Sequence, residues 1–414
     1  MGTSRRVAKL SNVNSFSYMP KSIEVSPDQP HRVDITPRRC RIAHLTSAHP
    51  RNDTRIFLKQ CRTLAEYGHD VTLVVADDQG DERIGGVSIV DVGRKTGRMQ
   101  RIFRTTRRVF NKAIALDVEI YHLHDPELIP IGLALKRRGK TVIFDSHEDV
   151  QRQLLSKPYL GPLSRRVVSH SFGLLERYAC ARFDGIICAT PFIRDSFLKI
   201  NPRTIDVNNF PMELELTSPE IRRGNLTEVC YVGGIGSIRG IRQLVQAGEL
   251  LLSPTRINLA GRFSEDTIEK EVKGYRGWQH VNQLGVLDRA GVREVLQRSA
   301  AGIVTFHALP NHLDALPTKM FEYMSSGTPV IASNFPLWRD IIEGNQCGIC
   351  VDPCDPRAIA AAIDHLVMNP TIAKTMGDNG RRAVVEKYNW ALQAIKLTDF
   401  YEVIENARKN APVN

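Results

Sequence analysis

The sequence predicts an α/β protein made of two Rossmann-like domains that face each other across a cleft. Three observations carry this expectation. The first half opens with Arg41–Thr46 as strand, His49–Arg55 as polar loop, Ile56–Tyr67 as helix and Val71–Val75 as strand, which is a βαβ unit. The second half starts the same series again, with Glu228–Val232 as strand, a glycine-rich loop from Gly233 to Gly240, and a helix from Ile241. Between them Asp206–Met212 reads as a crossing, and 414 residues are enough for two cores of ordinary size.

Composition narrows the class. A hydrophobic fraction of 42% with 24% charged residues is that of a soluble globular chain, and no apolar run approaches the ~20 residues that span a bilayer. Met1–Arg6 leads into no apolar core, so no signal peptide is expected and the protein is expected in the cytoplasm. The net charge of +11 points to an anionic partner, whether nucleotide, nucleic acid or acidic lipid surface. Cys347, Cys350 and Cys354 invite a metal, but Gly348 and Pro353 interleave with them and no second Cys or His pair follows at zinc spacing. Reduced thiols are the expectation.

Taken in order, residues 1–38 are rich in Ser, Pro, Arg and Lys without periodicity and read as a flexible basic extension. Arg51, Asp53 and Arg55 lie in the loop after the first strand, where α/β ligands bind; the two arginines suit a phosphate, and a solvated loop gives the same pattern. Gly68 ends the first helix. From Arg94 to Ala113 the apolar positions Met99, Ile102, Phe103, Thr106, Val109, Phe110 and Ala113 follow helical spacing. Arg98, Arg101, Arg104 and Arg108 lie among them with no acidic residue, so this helix can lie on an anionic membrane surface. Packing its stripe on its own domain explains the same pattern, and no motif nearby reads nucleic acid. Glu119–His124 is a strand that delivers Asp125 and Glu127 to its end, and Thr141–Asp145 is another that delivers His147. Leu154–Ala181 reads as helix and Asp184–Ala189 as strand.

In the second half the glycine loop Gly233–Gly240 suits backbone approach by a phosphate, with Gly233, Gly234 and Arg239 as candidates. Arg256–Ala260 is the next strand, and Arg262 follows it. Further strands are expected at Val281–Gly285 and Ala301–Phe306, a helix at Asp355–Met368, and a last helix near Ala391–Ala407. The densest signal is Asp314 to Ser333, read as loop, helix, turn and strand. Pro317 suits the first helical position, Gly327 the left-handed position after the last turn, and Val330–Ala332 a strand buried on both faces. Met320, Phe321 and Met324 share a face, and Glu322 lies off it. The stretch Leu316, Pro317, Thr318 and Lys319, whose N–H groups (Pro317 has none) lack helical partners, marks an anion site. A nucleotide diphosphate there would bring its ribose to Glu322, although a solvated helix carboxylate gives the same pattern.

Asp314-x7-Glu322 within Leu-Pro-Thr-Lys-Met-Phe-Glu-Tyr-Met-x-x-Gly-Thr-Pro-Val-Ile resembles the carboxylate signature of family 4 glycosyltransferases, retaining enzymes of the GT-B fold. The resemblance runs from about residue 39 to 405 and is most specific in this stretch. It implies that Glu322 binds the ribose and that Asp314, where Glu is usual, contacts the donor sugar, with Asn311 or His312 sharing that contact. It implies that His147, in Phe-Asp-Ser-His-Glu, meets the sugar hydroxyls. It also implies two cations on the diphosphate. Arg239 takes the usual Lys place, Gly234 replaces the usual Arg, and Arg262 or Lys319 is the candidate substitute. Asn209-Phe-Pro211 resembles the family's linker, and Tyr388-Asn-Trp390 the start of a last helix that crosses back to the first domain. The implied domains are 39–210, completed by 391–414, for the acceptor and 211–390 for the nucleotide-sugar donor.

The expected function is therefore transfer of a sugar, with retained configuration, from a nucleotide diphosphate sugar to a glycan or polyprenyl-diphosphate-linked acceptor in surface polysaccharide synthesis, at the inner face of the plasma membrane. No cofactor and no metal are expected, since cations and a helix dipole take the metal's role and no Asp-x-Asp motif stands at a suitable place. A nucleotide-sugar epimerase of the same architecture and a non-catalytic sugar-nucleotide or membrane-surface binder are the rival readings.

Overall fold

The computed structural model describes residues 40–94, 97, 101–147, 150–155, 161–212 and 226–410. Eight strands form the first sheet: β1 (Arg41–Leu45), β2 (Asp70–Val75), β3 (Glu82–Ile84), β4 (Val87–Asp91), β5 (Ile120–Leu123), β6 (Thr141–Ser146), β7 (Gly185–Cys188) and β8 (Thr204–Asp206). Their order is β3-β4-β2-β1-β5-β6-β7-β8, parallel except for β3, which runs antiparallel to β4. The second sheet takes β9 (Glu228–Val232), β10 (Arg256–Ala260), β11 (Val281–Gly285), β12 (Ser299–Val304), β13 (Val330–Ser333) and β14 (Gly348–Val351) in the order β11-β10-β9-β12-β13-β14, all parallel. Strands β5, β7, β12 and β13 are buried throughout, which is why they read as unbroken apolar runs rather than alternating ones.

Two short elements escape the apolar pattern. The β3–β4 hairpin turns at Gly85 and Gly86, both at positive φ, and its strands are too short and polar to announce themselves. The helix expected from Ile56 begins at Thr54, and its first eight residues, Thr54–Cys61, are π-helical before Arg62–Glu66 continues as α-helix. Asp53 caps it by accepting from the N–H groups of Arg55 and Ile56.

Each sheet has one place where the order reverses. Strand β1 lies between β2 and β5, and β9 lies between β10 and β12. Loops leaving the carboxyl ends on either side of such a point diverge and open a crevice. The helix Trp390–Lys409 packs on the first sheet, where Trp390, Leu397, Phe400, Tyr401 and Ile404 share a core with Ile42, Ile56, Leu64 and Ile120. The Trp390 indole N–H donates to Thr63 Oγ1 at 3.0 Å, and Gln393 Oε1 accepts from Asn208 N–H at 2.9 Å. The helix Trp390–Lys409 thus belongs to the first domain.

The basic segment is only partly settled into that domain. Val109 and Ala113 on the helix Thr106–Leu116 are buried, but Ile102 is 38% and Phe103 67% exposed. Arg104 and Arg107 are exposed, while Arg108 folds back to donate to the Arg94 carbonyl at 2.6 Å. That contact removes Arg108 from the expected row of outward cations. Arg98 lies outside the described residues, and of Arg101 only the backbone is described. Among the described residues no helix is long and apolar enough to cross a membrane.

Candidate active site

The crevices of the two sheets meet in one cleft of about 570 Å³. From the first half it takes Arg55, His147, Arg152, Thr190, Phe192 and Asn209. From the second it takes Gly233, Gly234, Arg239, Phe306, the segment Pro310–Lys319 apart from Leu313, and Glu322. The cleft thus gathers His147, Asp314, Glu322, Gly233, Gly234, Arg239, Leu316, Pro317, Thr318 and Lys319, as expected from sequence. Arg262 does not line it. Its side chain is exposed, and what it gives the glycine loop is a backbone carbonyl that accepts from Ile235 N–H at 2.9 Å.

On the first-half side the charges of the loop after β1 and of Asp145 are built into the scaffold. Asp145, at the end of β6, receives Arg55 Nε at 3.1 Å and Nη2 at 2.7 Å, and Gln60 Nε2 at 2.7 Å. Arg55 also donates to the Val207 carbonyl at 2.6 Å, tying the loop to the crossing. Burial alone would raise the Asp145 pKa, but Arg55, His147 and His124 together hold it well below the carboxylate range. Arg51 pairs with Asp77 at 2.7 Å and Glu82 at 2.5 Å. Asp125 is buried and accepts from Thr46 Oγ1 at 2.8 Å and Ser47 N–H at 2.6 Å, and Glu127 accepts from Ser47 Oγ at 3.0 Å. Asp53 caps the helix and meets His49 at 3.2 Å, so its pKa sits at about 2: burial raises it, but His49 and the capping N–H groups outweigh burial. Arg51, Asp53, Arg55, Asp125 and Glu127 were expected to face an acceptor. Their polar atoms instead hold the loop together, and of the five only Arg55 reaches the cleft wall.

Behind this wall runs a string of imidazoles. His44 and His122 are register partners on β1 and β5, and His124 follows β5. His44 Nδ1 meets His124 Nε2 at 2.8 Å, His122 Nδ1 meets Tyr401 OH at 2.8 Å, and His124 Nδ1 meets Asp145 at 3.2 Å. The His124 and His147 rings stack at 5.5 Å. Burial pushes all of them down, His44 and His122 well below the ordinary imidazole value and His124 to about 3, so the string is neutral. One ring nitrogen each from His44, His122 and His124 lies within 4.8 Å of the others, as do atoms of His124, Asp145 and His147. The second group shares its carboxylate with Arg55, which opposes a cation there. His147 is itself partly buried, which lowers its pKa against the pull of Asp145, and its Nε2 has no partner among the described residues. Both ring nitrogens lack a hydrogen-bond partner among the described residues and are themselves buried, although the ring lines the cleft.

On the second-half side the polar groups are less committed. After β9 the backbone turns at Gly233 (φ +105°), and Tyr231 OH and Arg239 Nη1 both donate to the Gly234 carbonyl, at 2.8 and 2.9 Å. Gly240 (φ +76°) ends the loop against β12, where a Cβ would stand 2.1 Å from the Thr305 carbonyl oxygen. The helix Thr318–Ser325 starts one residue later than expected, with Pro317 as its cap residue at φ −67° and ψ 125°. Its first N–H groups face the cleft without an intrahelical acceptor. Lys319 is buried here, with Nζ 3.6 Å from the Tyr231 ring centroid and no hydrogen-bond partner among the described residues.

Two partners were invisible in the sequence. Arg152, from the helix Val150–Leu155, reaches Asp314 and the Pro310 carbonyl, both at 3.1 Å, with its guanidinium 4.2 Å from the Phe192 ring centroid. Arg289, the first residue of the helix Arg289–Gln297, holds Glu322 at 3.1 Å. Neither stands in a motif. The one available signal for Arg289 was its place just after a strand end.

Two family models match in the same order as the two sheets. The one described as Glycosyltransferase Family 4 covers residues 54–208, and the one described as Glycosyl transferases group 1 covers residues 217–383. Together the two glycosyltransferase models span most of the chain, and its fold is GT-B. In agreement, the GT-B fold is shared with sucrose-phosphate synthase from Thermosynechococcus elongatus, at a TM-score of 0.72 and 19% identity over 89% of this chain and 100% of that one. Anabaena HepE in complex with UDP superimposes with a TM-score of 0.66 at 12% identity, over 88% of this chain and 100% of that one. Among curated relatives, glycogen synthase of Mycobacterium tuberculosis is 22% identical over 178 residues, 42% of this chain and 42% of its own length. The chain therefore spans less than half the length of that relative.

Proposed function

We propose that this GT-B chain transfers a sugar from a nucleoside diphosphate sugar to a glycan or lipid-linked acceptor, with retention of configuration, in surface polysaccharide synthesis. The observation that carries the reading is the convergence of Arg239, Lys319 and the start of the helix Thr318–Ser325 on one side of a cleft whose carboxylate is Glu322. Departure of a nucleoside diphosphate places negative charge on the phosphate side of the breaking bond. Fixed donors and cations aimed at that charge lower the barrier without needing to reorganise. Arg239, Lys319 and the helix N–H groups do this, Glu322 accepts from the ribose hydroxyls, and Asp314 and His147 orient the sugar. The reading needs no metal cofactor. The complex of HepE with UDP supports a uridine nucleotide as the first donor to try.

The exposure of Phe103 beside Arg104 and Arg107 supports an acceptor anchored at an anionic membrane surface, because a solvent-facing aromatic among cations suits a headgroup layer. This reading puts the protein at the inner face of the plasma membrane with no transmembrane helix of its own.

The test is release of nucleoside diphosphate from UDP- and GDP-sugars, with and without a polyprenyl-diphosphate-linked glycan. Transfer predicts release that depends on the acceptor. Equal release without acceptor, together with an altered free sugar, would mark an epimerase. Binding without release would mark a non-catalytic binder.

A further inference from the structure

Lys319 is a buried amine without an anion. Its side chain is buried, and Nζ lies over the Tyr231 ring at 3.6 Å and 5.5 Å from the Phe306 centroid. It has no hydrogen-bond partner among the described residues. An ammonium in such a place loses its water and regains nothing, whereas an uncharged amine loses little. The groups that face it come from four elements. Cys230 and Tyr231 lie on β9, Arg239 on the glycine loop, Glu322 on its own helix, and Phe306 beyond β12. Of these groups Glu322 carries the negative charge, and Arg289 already holds it. The amine is nonetheless aimed at the cleft. A Cβ built on Gly233 would lie 3.4 Å from both Cε and Nζ, and Gly233 is the turn where the backbone of the glycine loop opens toward a ligand.

We propose that Lys319 is a diphosphate-binding residue of this cleft and that it takes a proton from solvent as the nucleotide binds. The inference rests on the donor reading above and adds to it a proton-linked charge. One N–H bond forms at Nζ, one buffer molecule or water gives up the proton, and the new ammonium directs its donors at phosphate oxygens beside Arg239. Burial, then the charge of Arg239, holds the amine of the empty cleft well below its ordinary value, which agrees. Diphosphate affinity should then weaken with rising pH, by up to about tenfold per pH unit wherever a full proton is taken up.

Calorimetric titration of the full chain with UDP and with GDP, in Tris and in HEPES between about pH 7.5 and 9, reads the proton directly. The phosphate itself titrates near pH 6 and stays out of this window. The expected result is an uptake approaching one proton per nucleotide, and none with uridine or guanosine. Lys319→Met should weaken diphosphate binding about ten- to a hundredfold, abolish the uptake and leave nucleoside binding within about twofold. Lys319→Arg, its fold checked by thermal melting, should bind with no uptake and no pH dependence. Nucleotide binding by the wild type without uptake, or uptake that survives in Lys319→Met, overturns the inference while leaving the donor site in place. Absence of UDP and GDP binding in the wild type overturns the donor reading and this inference together.

Discussion

The two walls of the cleft are both rich in charge and use it in opposite ways. On the first-half wall Arg51 is answered by Asp77 and Glu82, and Arg55 by Asp145. On the second-half wall Arg239 meets a backbone carbonyl, the Tyr231 hydroxyl and the Phe306 ring but no carboxylate among the described residues, and Lys319 reaches only aromatic rings. Charge that is paired inside the protein fixes the shape of a wall. Charge left without a carboxylate is tolerable only where an outside anion supplies the partner. Under the proposed donor reading, the difference favours the second half for the phosphates.

The largest expected effect breaks the first wall. Arg55→Met leaves Asp145 charged and buried without its main partner and should cost about 3–5 kcal/mol in urea unfolding. Arg239→Met removes no internal ion pair, so its unfolding free energy should stay within about 0.5 kcal/mol of wild type while nucleotide binding collapses. Equal stability losses in the two variants would erase the contrast between the walls.

The imidazole string sharpens the comparison through pH. His44, His122 and His124 have folded pKa values far below that of the unfolded chain. Below about pH 6.5 the unfolded chain binds protons that the native one refuses, so stability falls with pH by up to about 1.4 kcal/mol per pH unit for each histidine. His49 opposes this. Burial lowers its pKa, but Asp53 and Asp125 raise it further, so its stability is present below the unfolded value and lost as pH rises through the folded one. One group against three leaves a net loss on acidification. Urea melts at pH 7.5, 6.5 and 5.5 should show it, and a flat profile would mean that the string opens to water.

Much of this architecture was readable from local pattern. Strands such as β1, β9 and β13 declare themselves as apolar runs, strand ends located His147 and the Gly233–Gly240 loop, and the helix start after Pro317 located Glu322. The pairings that separate the walls were not readable, because they join residues far apart. Arg51 and Glu82 are 31 positions apart, and Arg152 and Asp314 are 162 apart. Periodicity reports which face a residue takes within its element, not what meets that face. The same limit explains Arg262, which stands after a strand end yet points to solvent. It also explains Lys319, whose burial under Tyr231 depends on β9, nearly ninety residues earlier.

Smaller effects test the edges of the second wall and the outer surface. Glu322→Gln keeps the shape and removes the charge, so donor binding should fall about ten- to a hundredfold, or ~1.5–3 kcal/mol, in calorimetric titration. Unchanged affinity would remove the ribose from Glu322 and leave that carboxylate to Arg289. Arg104→Gln with Arg107→Gln should weaken flotation with anionic vesicles by ~1 kcal/mol per residue and spare nucleotide binding. If the wild type ignores such vesicles at low salt, the exposed Phe103 has no role at a headgroup layer and a soluble acceptor is the better reading.

The most direct test is a crystal structure of the chain with UDP or, failing that, GDP bound. The phosphates should lie between the Gly233–Gly234 backbone, Arg239 and Lys319, and the ribose hydroxyls should meet Glu322 in place of Arg289. Phosphates seated on the Arg51–Arg55 loop, or a ribose remote from Glu322, would contradict the division of labour between the two walls.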